Sequence, residues 1–120
     1  MTSVDLSYNE LGSSGATAIA GALSSGMAVL THLDLSNNNM GDDGINQICL
    51  GFQFSSAFPA LQSLDISVNG GRHSMMHLSM VLGKARCAKL RYLGIAGNYG
   101  ESRRVRRLFK HMKHLPNRRQ

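Results

Sequence analysis

Cysteine is scarce in this sequence, and long apolar runs are absent from it. The 120 residues contain two cysteines, Cys49 and Cys87, which are too few for a framework of disulfides. No apolar stretch approaches the ~20 residues of a membrane-spanning helix, and the start of the chain lacks the basic and apolar regions of a signal peptide. These absences argue against a disulfide-rich secreted domain and predict a reduced, cytoplasmic protein with no membrane span.

Basic residues are absent from the first half of the chain. Residues 1–60 contain five acidic residues and no lysine or arginine, whereas residues 61–120 contain all thirteen basic residues and two acidic ones. The formal charges of the halves are therefore −5 and +11, which add to the net +6 of the chain. This asymmetry predicts two ends with different partners, and it predicts head-to-tail self-association between copies of the chain.

A nine-residue segment recurs four times. It reads MTSVDLSYN from position 1, LTHLDLSNN from position 30, LQSLDISVN from position 61 and LRYLGIAGN from position 90. Each copy ends on an asparagine, at intervals of 29, 31 and 29 residues: Asn9, Asn38, Asn69 and Asn98. A period of this length indicates an array of stacked units.

Each unit is predicted to hold one strand and one helix. In the second copy Leu33 and Leu35 alternate with Asp34 and Ser36, which is the pattern of a half-buried strand. The carboxamide that follows is predicted to bond backbone groups left unpaired by the turn. Apolar residues at helical spacing come next in each copy: Ala16, Ile19, Ala20, Leu23; Ile45, Ile48, Cys49, Phe52; Met75, Leu78, Leu82; Val105, Leu108, Phe109, Met112. The third copy is one residue shorter between its asparagine and its helix.

We therefore predict an α/β domain that forms a right-handed solenoid, with parallel strands on the concave face and helices on the convex face. The domain covers residues 1–115 in four repeats, 1–29, 30–60, 61–89 and 90–115, and a basic tail follows at 116–120. Met1 opens its copy with no repeat to cover it. We expect either that the chain is part of a longer array or that another chain covers this edge.

The template L-x-x-L-x-L-x-x-N resembles the leucine-rich repeat family. Its period, near the top of the family's range, resembles the ribonuclease-inhibitor-like subclass. The segment LDISVN is similar to the repeat domains of CARMIL-type actin regulators and, more distantly, of tropomodulins. The resemblance implies a protein-interaction scaffold with a protein partner.

Residues between the buried leucines are predicted to line the concave face in three columns. The columns are Ser3, His32, Ser63, Tyr92; Asp5, Asp34, Asp65, Gly94; and Ser7, Ser36, Ser67, Ala96. Five of these are candidate partner-binding residues: Asp5, His32, Asp34, Asp65 and Tyr92. The aspartates are either an acidic ladder for basic side chains of a partner or ordinary solvated residues. No metal site is predicted, because metal ligands need to converge from several directions.

Catalytic residues are not predicted. Ser36 and His32 lie one column apart, with no acid placed to orient the histidine. Gly12–Gly15 and Gly41–Gly44 lack the lysine of a phosphate-binding loop and instead predict turns into helices. Four histidines are predicted to be solvated helix residues: His73, His77, His111 and His114. We therefore predict neither an enzyme nor a bound cofactor.

A basic helix is predicted at the end of the chain, ending before Pro116. Six basic residues cover its exposed surface: Arg103, Arg104, Arg106, Arg107, Lys110 and Lys113. They either form a polar cover for the last repeat or bind an anionic partner. That partner is an acidic protein in one interpretation and nucleic acid or anionic lipid in the alternatives. The segment RRVRR also resembles a nuclear-import patch, which predicts a nuclear location as the alternative to a cytoplasmic one.

Overall fold

Strands and helices alternate along the chain, as the repeat pattern predicts. The computed structural model describes residues 2–24, 29–54, 60–82, 89–98 and 117–119. In chain order the elements are β1 (Thr2–Asp5), α1 (Gly12–Ser24), β2 (Leu30–Asp34), α2 (Gly41–Phe54), β3 (Ser63–Asp65), α3 (Ser74–Leu82), β4 (Tyr92–Gly94) and β5 (Asn117–Arg119). The helix predicted between Val105 and Met112 lies outside the described residues.

The strands form one parallel sheet in the order β1-β2-β3-β4-β5. The repeats are in register, so that Leu33 pairs with Leu64 and Leu64 with Leu93. This confirms the predicted parallel pairing of the first four strands. The fifth strand was not predicted. Residues 117–119 fall within the predicted basic tail, yet Asn117 pairs with Tyr92 and continues the same register.

The core lies between the sheet and the helices. Leu35, Ile66 and Ile95, which hold equivalent positions in three repeats, are fully buried in one cluster with helix residues such as Ile45 and Met75. Burying a side chain of this size stabilises the fold by about 1.5–3 kcal/mol. The sequence prediction that neighbouring repeats share one aliphatic core is therefore confirmed for the described residues.

Glycines begin the first two helices. Gly12 and Gly41 have φ angles of 61° and 65°, a conformation that costs other L-residues free energy. The second glycine of each pair has another role. At Gly44 an added Cβ would lie 2.7 Å from the Cβ of Met40 and 3.2 Å from that of Ala16. The predicted turns into helices are thus confirmed, and Gly44 in addition permits close packing of α2 on its neighbours.

A second glycine on α2 brings the helices together. At Gly51 an added Cβ would lie 2.9 Å from the carbonyl oxygen of Ala20 and 3.0 Å from its Cα. Gly44 and Gly51 are two helical turns apart and therefore lie on the same side of α2. This small-residue face sets the distance between α1 and α2.

Asparagine carboxamides join each repeat to the next. Oδ1 of Asn38 accepts the N–H of Asn9 at 2.8 Å and of Leu11 at 3.4 Å, while Nδ2 donates to carbonyl oxygens of Leu6 and Leu35. Asn69 and Asn98 repeat this pattern one and two units later. The predicted structural role is confirmed. The sequence did not reveal that the bonds cross between repeats.

Asp42 compensates for the residue missing from the third repeat. Helix α3 begins later, at Ser74, and Oδ1 of Asp42 accepts hydrogen bonds from the N–H groups of Arg72 and Ser74 at 2.6 and 3.1 Å and from the Ser74 hydroxyl at 2.6 Å. Partial burial raises the pKa of Asp42. The bonds from Ser74, Arg72 and the His73 N–H outweigh that effect and lower the pKa from 3.8 to about 2. A carboxylate of the second repeat therefore caps the helix of the third.

Candidate functional site

The five residues selected on the strands lie around one shallow depression on the exposed face of the sheet. Its volume is about 270 Å³. The sheet register aligns His32 with Tyr92 through Ser63, and Asp5 with Asp34 and Asp65. We call this surface the strand-face site; its residues are Asp5, His32, Asp34, Asp65 and Tyr92.

Each aspartate of the site is fixed by the serine two positions later. Oδ1 of Asp34 accepts the N–H of Ser36 at 2.9 Å and its hydroxyl at 2.7 Å. The same pair of bonds joins Asp5 to Ser7 and Asp65 to Ser67. Within the described residues, Oδ2 of these aspartates accepts no hydrogen bond. The carboxylates are therefore held in position with one oxygen free.

The serines of the third column lie beside these aspartates, to which their hydroxyls donate: Ser7, Ser36 and Ser67. Ser36 differs from the expectation of an exposed residue, because it is buried. At Asp5, the hydroxyl of Ser7 and then its N–H lower the pKa of the carboxyl group below its ordinary value of 3.8.

The fourth repeat lacks both members of this pair. Gly94 and Ala96 replace the aspartate and the serine together. At Gly94 an added Cβ would lie 2.5 Å from Oδ1 of Asp65 and 2.7 Å from its Cγ. Gly94 therefore leaves room for the Asp65 carboxylate. The acidic column ends here, and the next register position in β5 is Arg119.

His32 and Cys49 show no arrangement for nucleophilic catalysis. Nδ1 of His32 lies 2.9 Å from Oγ1 of Thr31, which donates to the carbonyl oxygen of Thr2. Burial raises the pKa of the Cys49 thiol to about 12, so the thiol stays protonated. Cys49 is a core residue, as predicted. Among the described residues, no group of three or more His, Cys, Asp or Glu side chains could hold a metal ion.

Two of the four predicted helix histidines are described. His73 is exposed, as predicted, but it lies in the turn before α3 and not in the helix, which begins at Ser74. His77 is half-buried instead, with Nδ1 lying 3.1 Å from Oδ1 of Asn46 on α2. The packing of α3 on α2 causes this difference. His111 and His114 lie outside the described residues.

The basic surface of the predicted last helix also lies outside the described residues. This applies to all six of its candidate residues: Arg103, Arg104, Arg106, Arg107, Lys110 and Lys113. Their role as a binding surface stays a prediction.

A second groove, of about 450 Å³, lies over the turns that follow the strands. Two exposed apolar side chains line it, Tyr8 at 76% exposure and Val68 at 49%. Both precede a repeat asparagine and have positive φ angles, 58° and 56°. Such a φ is unusual for tyrosine and strained for β-branched valine. This surface was not predicted from the sequence, although Asn37 and Gly97, at the equivalent positions, are residue types that favour a positive φ.

In the part of the chain that the structure describes, no helix has the length and apolar character needed to cross a membrane.

Comparison with known proteins supports the repeat assignment. A family model described as leucine-rich repeat matches residues 1–20 and 27–49. The chain is also similar to Protein CARMIL of Dictyostelium discoideum, with 36% identity over 58 residues, which are 48% of this chain and 6% of that protein. The chain thus covers a small fraction of that relative. The motif, the parallel strand-and-helix units and these matches together support the assignment of the chain to the leucine-rich repeat family.

Proposed function

We propose that the chain is a non-catalytic interaction scaffold that binds a protein partner through the strand-face site. The family supports this, because leucine-rich repeats typically serve as interaction modules whose concave surfaces bind partners. In this proposal the repeats form a right-handed solenoid of the ribonuclease-inhibitor-like subclass, with the strands on the concave face. The chain acts as part of a larger leucine-rich repeat protein in the cytoplasm.

The observation that carries the proposal is the fixed orientation of the three carboxylates. Each is held by two hydrogen bonds from its serine, at distances of 2.5–2.9 Å. A surface whose polar groups are already ordered loses less conformational entropy on binding. The rigid sheet spaces these groups by one strand, roughly 4.8 Å.

The chemistry of the strand-face site favours lysine and arginine side chains of the partner. The free Oδ2 atoms of Asp5, Asp34 and Asp65 offer charge-assisted hydrogen bonds to cationic donors. Tyr92, half-buried at the other side of the depression, offers an aromatic ring to the same cations.

The basic residues between Arg103 and Lys113 form the second surface of the proposal. Their charge suits an acidic protein partner. The same charge favours the alternative function, a component that binds nucleic acid, because counterion release drives the binding of basic surfaces to phosphates.

Neutral, nearly isosteric substitutions test the strand-face site. Asp34→Asn combined with Asp65→Asn keeps the Oδ1 acceptors for serine and removes two charges. Glu10→Gln combined with Asp43→Asn removes two charges from exposed positions elsewhere. A partner captured by the wild-type chain is identified, purified and titrated against both variants. We expect at least tenfold weaker binding for the first variant, about 1.4 kcal/mol, and wild-type binding for the second. Equal affinity of both variants for the partner would overturn the strand-face proposal.

The nucleic-acid alternative has its own assay. A labelled single-stranded RNA is titrated at increasing salt, with the wild type and with a variant in which Arg103, Arg104, Arg106 and Arg107 are alanine. Tight binding that falls steeply with salt and is lost in the variant would establish the alternative. Protein capture that survives the four substitutions but not the loss of Asp34 and Asp65 charge supports the scaffold.

A further inference from the structure

Asn69 differs from the other repeat asparagines in the residue that follows it. The others precede residues with side chains, Glu10, Asn39 and Tyr99. Among all asparagines of the sequence, Asn69 alone precedes a glycine. The pair matters because asparagine is a thermolabile residue, whose carboxamide carbon can be attacked by the backbone nitrogen of the next residue. A glycine has no side chain to hinder this close approach.

The attack would modify Asn69 with water as the only other reactant. The Gly70 nitrogen forms a bond to Cγ of Asn69, the bond from Cγ to Nδ2 breaks, and ammonia leaves with the proton of the Gly70 N–H. Water then opens the resulting succinimide ring at either of its carbonyl carbons. Opening at Cγ gives an aspartate in the ordinary chain. Opening at the backbone carbonyl carbon gives an isoaspartate, in which the chain runs through Cγ.

The folded chain protects the Asn69 carboxamide, which is 1% exposed. Oδ1 accepts two backbone N–H groups at 2.9 and 3.4 Å, and Nδ2 donates to three carbonyl oxygens at 2.9, 2.9 and 3.3 Å. Closing the succinimide ring moves Cγ onto the Gly70 nitrogen, so these bonds must break first. Three of the five bonds reach residues of the second repeat: Asn38, Met40 and Leu35.

Neither product can form these bonds again. An ionised aspartate has no proton to donate, so it would place a buried negative charge against the three carbonyl oxygens that Nδ2 now binds. An isoaspartate lengthens the backbone by one carbon and shifts the residues that follow. The same contact between repeats pairs Asp34 with Asp65. The modification would therefore separate two carboxylates of the strand-face site.

We propose that Asn69 is a deamidation site whose reaction is controlled by the contact between the second and third repeats. The closed contact protects the carboxamide, opening of the contact permits attack by the Gly70 nitrogen, and the product prevents the contact from closing again. Partial opening is expected of a repeat array, because each repeat contacts only its neighbours. The reaction makes permanent an opening that is otherwise reversible. This inference does not depend on a partner of the strand-face site.

Peptide mass spectrometry of the full chain measures the reaction. Cleavage before Asp65 and after Arg72, at mildly acidic pH, releases a short peptide in which Asn69 carries the only side-chain amide. We expect deamidation at mildly alkaline pH to be at least about tenfold faster in urea that unfolds the chain than in native buffer, because only open molecules react.

Gly70→Glu is the control for the chemistry. It copies Glu10, which holds the equivalent position of the first repeat with a φ of 50°, where Gly70 has 70°. The backbone therefore suits the substitution. This variant should deamidate slowly in urea as well as in native buffer, because its side chain hinders attack by the backbone nitrogen.

A pair of substitutions on α2 tests which opening matters. Asp42→Ala removes the cap that joins the second repeat to α3. It should raise the deamidation rate severalfold in native buffer and leave the rate in urea unchanged. Asp43→Ala, at an exposed position of the same helical turn, should react like the wild type in both.

Asn69→Asp tests the effect of the product. Its urea midpoint of unfolding should fall well below that of the wild type. Asn9→Asp makes the same change at an exposed repeat asparagine and should lower the midpoint only slightly. Failure of Asn69→Asp to fold would support the proposal, and the rates on the wild-type chain test it without this variant.

Four results would overturn the proposal. Equal rates in native buffer and in urea would mean that the fold does not protect Asn69. A wild-type rate in urea as slow as that of Gly70→Glu would mean that the pair does not react. An unchanged rate in Asp42→Ala, despite a lower urea midpoint, would separate the reaction from this contact. A wild-type midpoint in Asn69→Asp would show that the product does not prevent closure.

Discussion

At the scale of single residues, asparagine and aspartate do most to join one repeat to the next. Asn69 is buried, and its carboxamide takes part in five hydrogen bonds, two accepted through Oδ1 from Asn38 and Met40 and three donated through Nδ2. These bonds satisfy backbone groups that parallel pairing alone leaves open. A single side chain thus orders the turns of two repeats.

Asn69→Ala should lower the free energy of unfolding by about 2–4 kcal/mol, because it removes several bonds and leaves buried groups unpaired. Asn9→Ala is the matched control. Asn9 is exposed, and among the described residues its carboxamide bonds only to the carbonyl oxygens of Leu6 and Ser7, so the loss of this side chain should cost about 1 kcal/mol. Urea unfolding of the two variants measures both values. If both substitutions lowered the free energy of unfolding equally, the asparagine bonds between repeats would not couple one repeat to the next.

The cap formed by Asp42 makes stability depend on pH. Its pKa is about 2 in the folded chain, below the ordinary 3.8, so the carboxylate stabilises the fold above the unfolded-state pKa. This contribution should disappear as the pH falls from about 4 to about 2. The shift corresponds to roughly 2 kcal/mol, and partial solvent screening reduces it to on the order of 1 kcal/mol.

The measurement compares urea unfolding of the wild type and Asp42→Asn at neutral and acidic pH. At neutral pH the wild type should have a larger free energy of unfolding than Asp42→Asn. The difference between the two proteins should narrow as the pH falls toward 2. Asp43→Asn, an exposed neighbour in the same helical turn, should follow the wild type throughout. If the difference between wild type and Asp42→Asn were the same at both pH values, the Asp42 cap would not contribute to the pH dependence of stability.

At the scale of elements, small residues set the packing of neighbouring helices. Gly44 and Gly51 of α2 face Ala16 and Ala20 of α1, at distances that leave no room for a further methyl group. Neighbouring strands also approach closely at Gly94, where the absence of a side chain leaves room for the Asp65 carboxylate. Where an element approaches its neighbour this closely, glycine is required for contact rather than for its backbone freedom.

Two glycine-to-alanine substitutions in helices should change stability in opposite directions. Alanine gains up to about 1 kcal/mol in helix propensity at either position. Nothing lies within 4 Å of an added Cβ at Gly21, so Gly21→Ala should be stabilising. Gly51→Ala should be destabilising, because its Cβ meets the backbone of Ala20, which cannot rotate away, and overpacking costs about 1–3 kcal/mol. The melting temperatures of the two variants, compared with that of the wild type, test both expectations. Stabilisation by both would mean that α1 and α2 separate easily.

At the scale of the whole molecule, stability is expected to be uneven from repeat to repeat. Each repeat contacts only its neighbours, so an edge repeat has fewer stabilising contacts than an inner one. The exposures agree at equivalent positions, since Val4, Leu6, Leu11 and Ile19 of the first repeat are partly buried. Their counterparts in the second repeat are almost fully buried: Leu33, Leu35, Met40 and Ile48.

Amide hydrogen exchange measures this gradient at equivalent positions. The N–H groups of Leu6 and Tyr8 bond to the second repeat, and those of Leu35 and Asn37 make the same bonds to the third. We expect the first pair to exchange faster, because the edge repeat opens without the rest. Equal protection of both pairs would indicate that the chain opens only as a whole.

The residues of the strand-face site could be predicted from the sequence, but the hydrogen bonds that hold their side chains could not. Asp5, Asp34 and Asp65 could be placed in one column because side chains on a strand alternate with a period of two. Their bonds to Ser7, Ser36 and Ser67 depend on side-chain conformations, which that period does not determine. The cap from Asp42 was missed for a related reason, since the missing residue is visible in the third repeat while its compensation lies in the second.

The sequence by itself determined the repeat, its strand and helix, the parallel stacking and the shared aliphatic core. It could do so because hydrophobic periodicity is local and each copy confirms the others. Only the tertiary structure decided which groups meet between repeats: the asparagine bonds, the glycine contacts of α2 and the fifth strand. These depend on distances between residues about one repeat apart, and no local pattern of side chains encodes such distances.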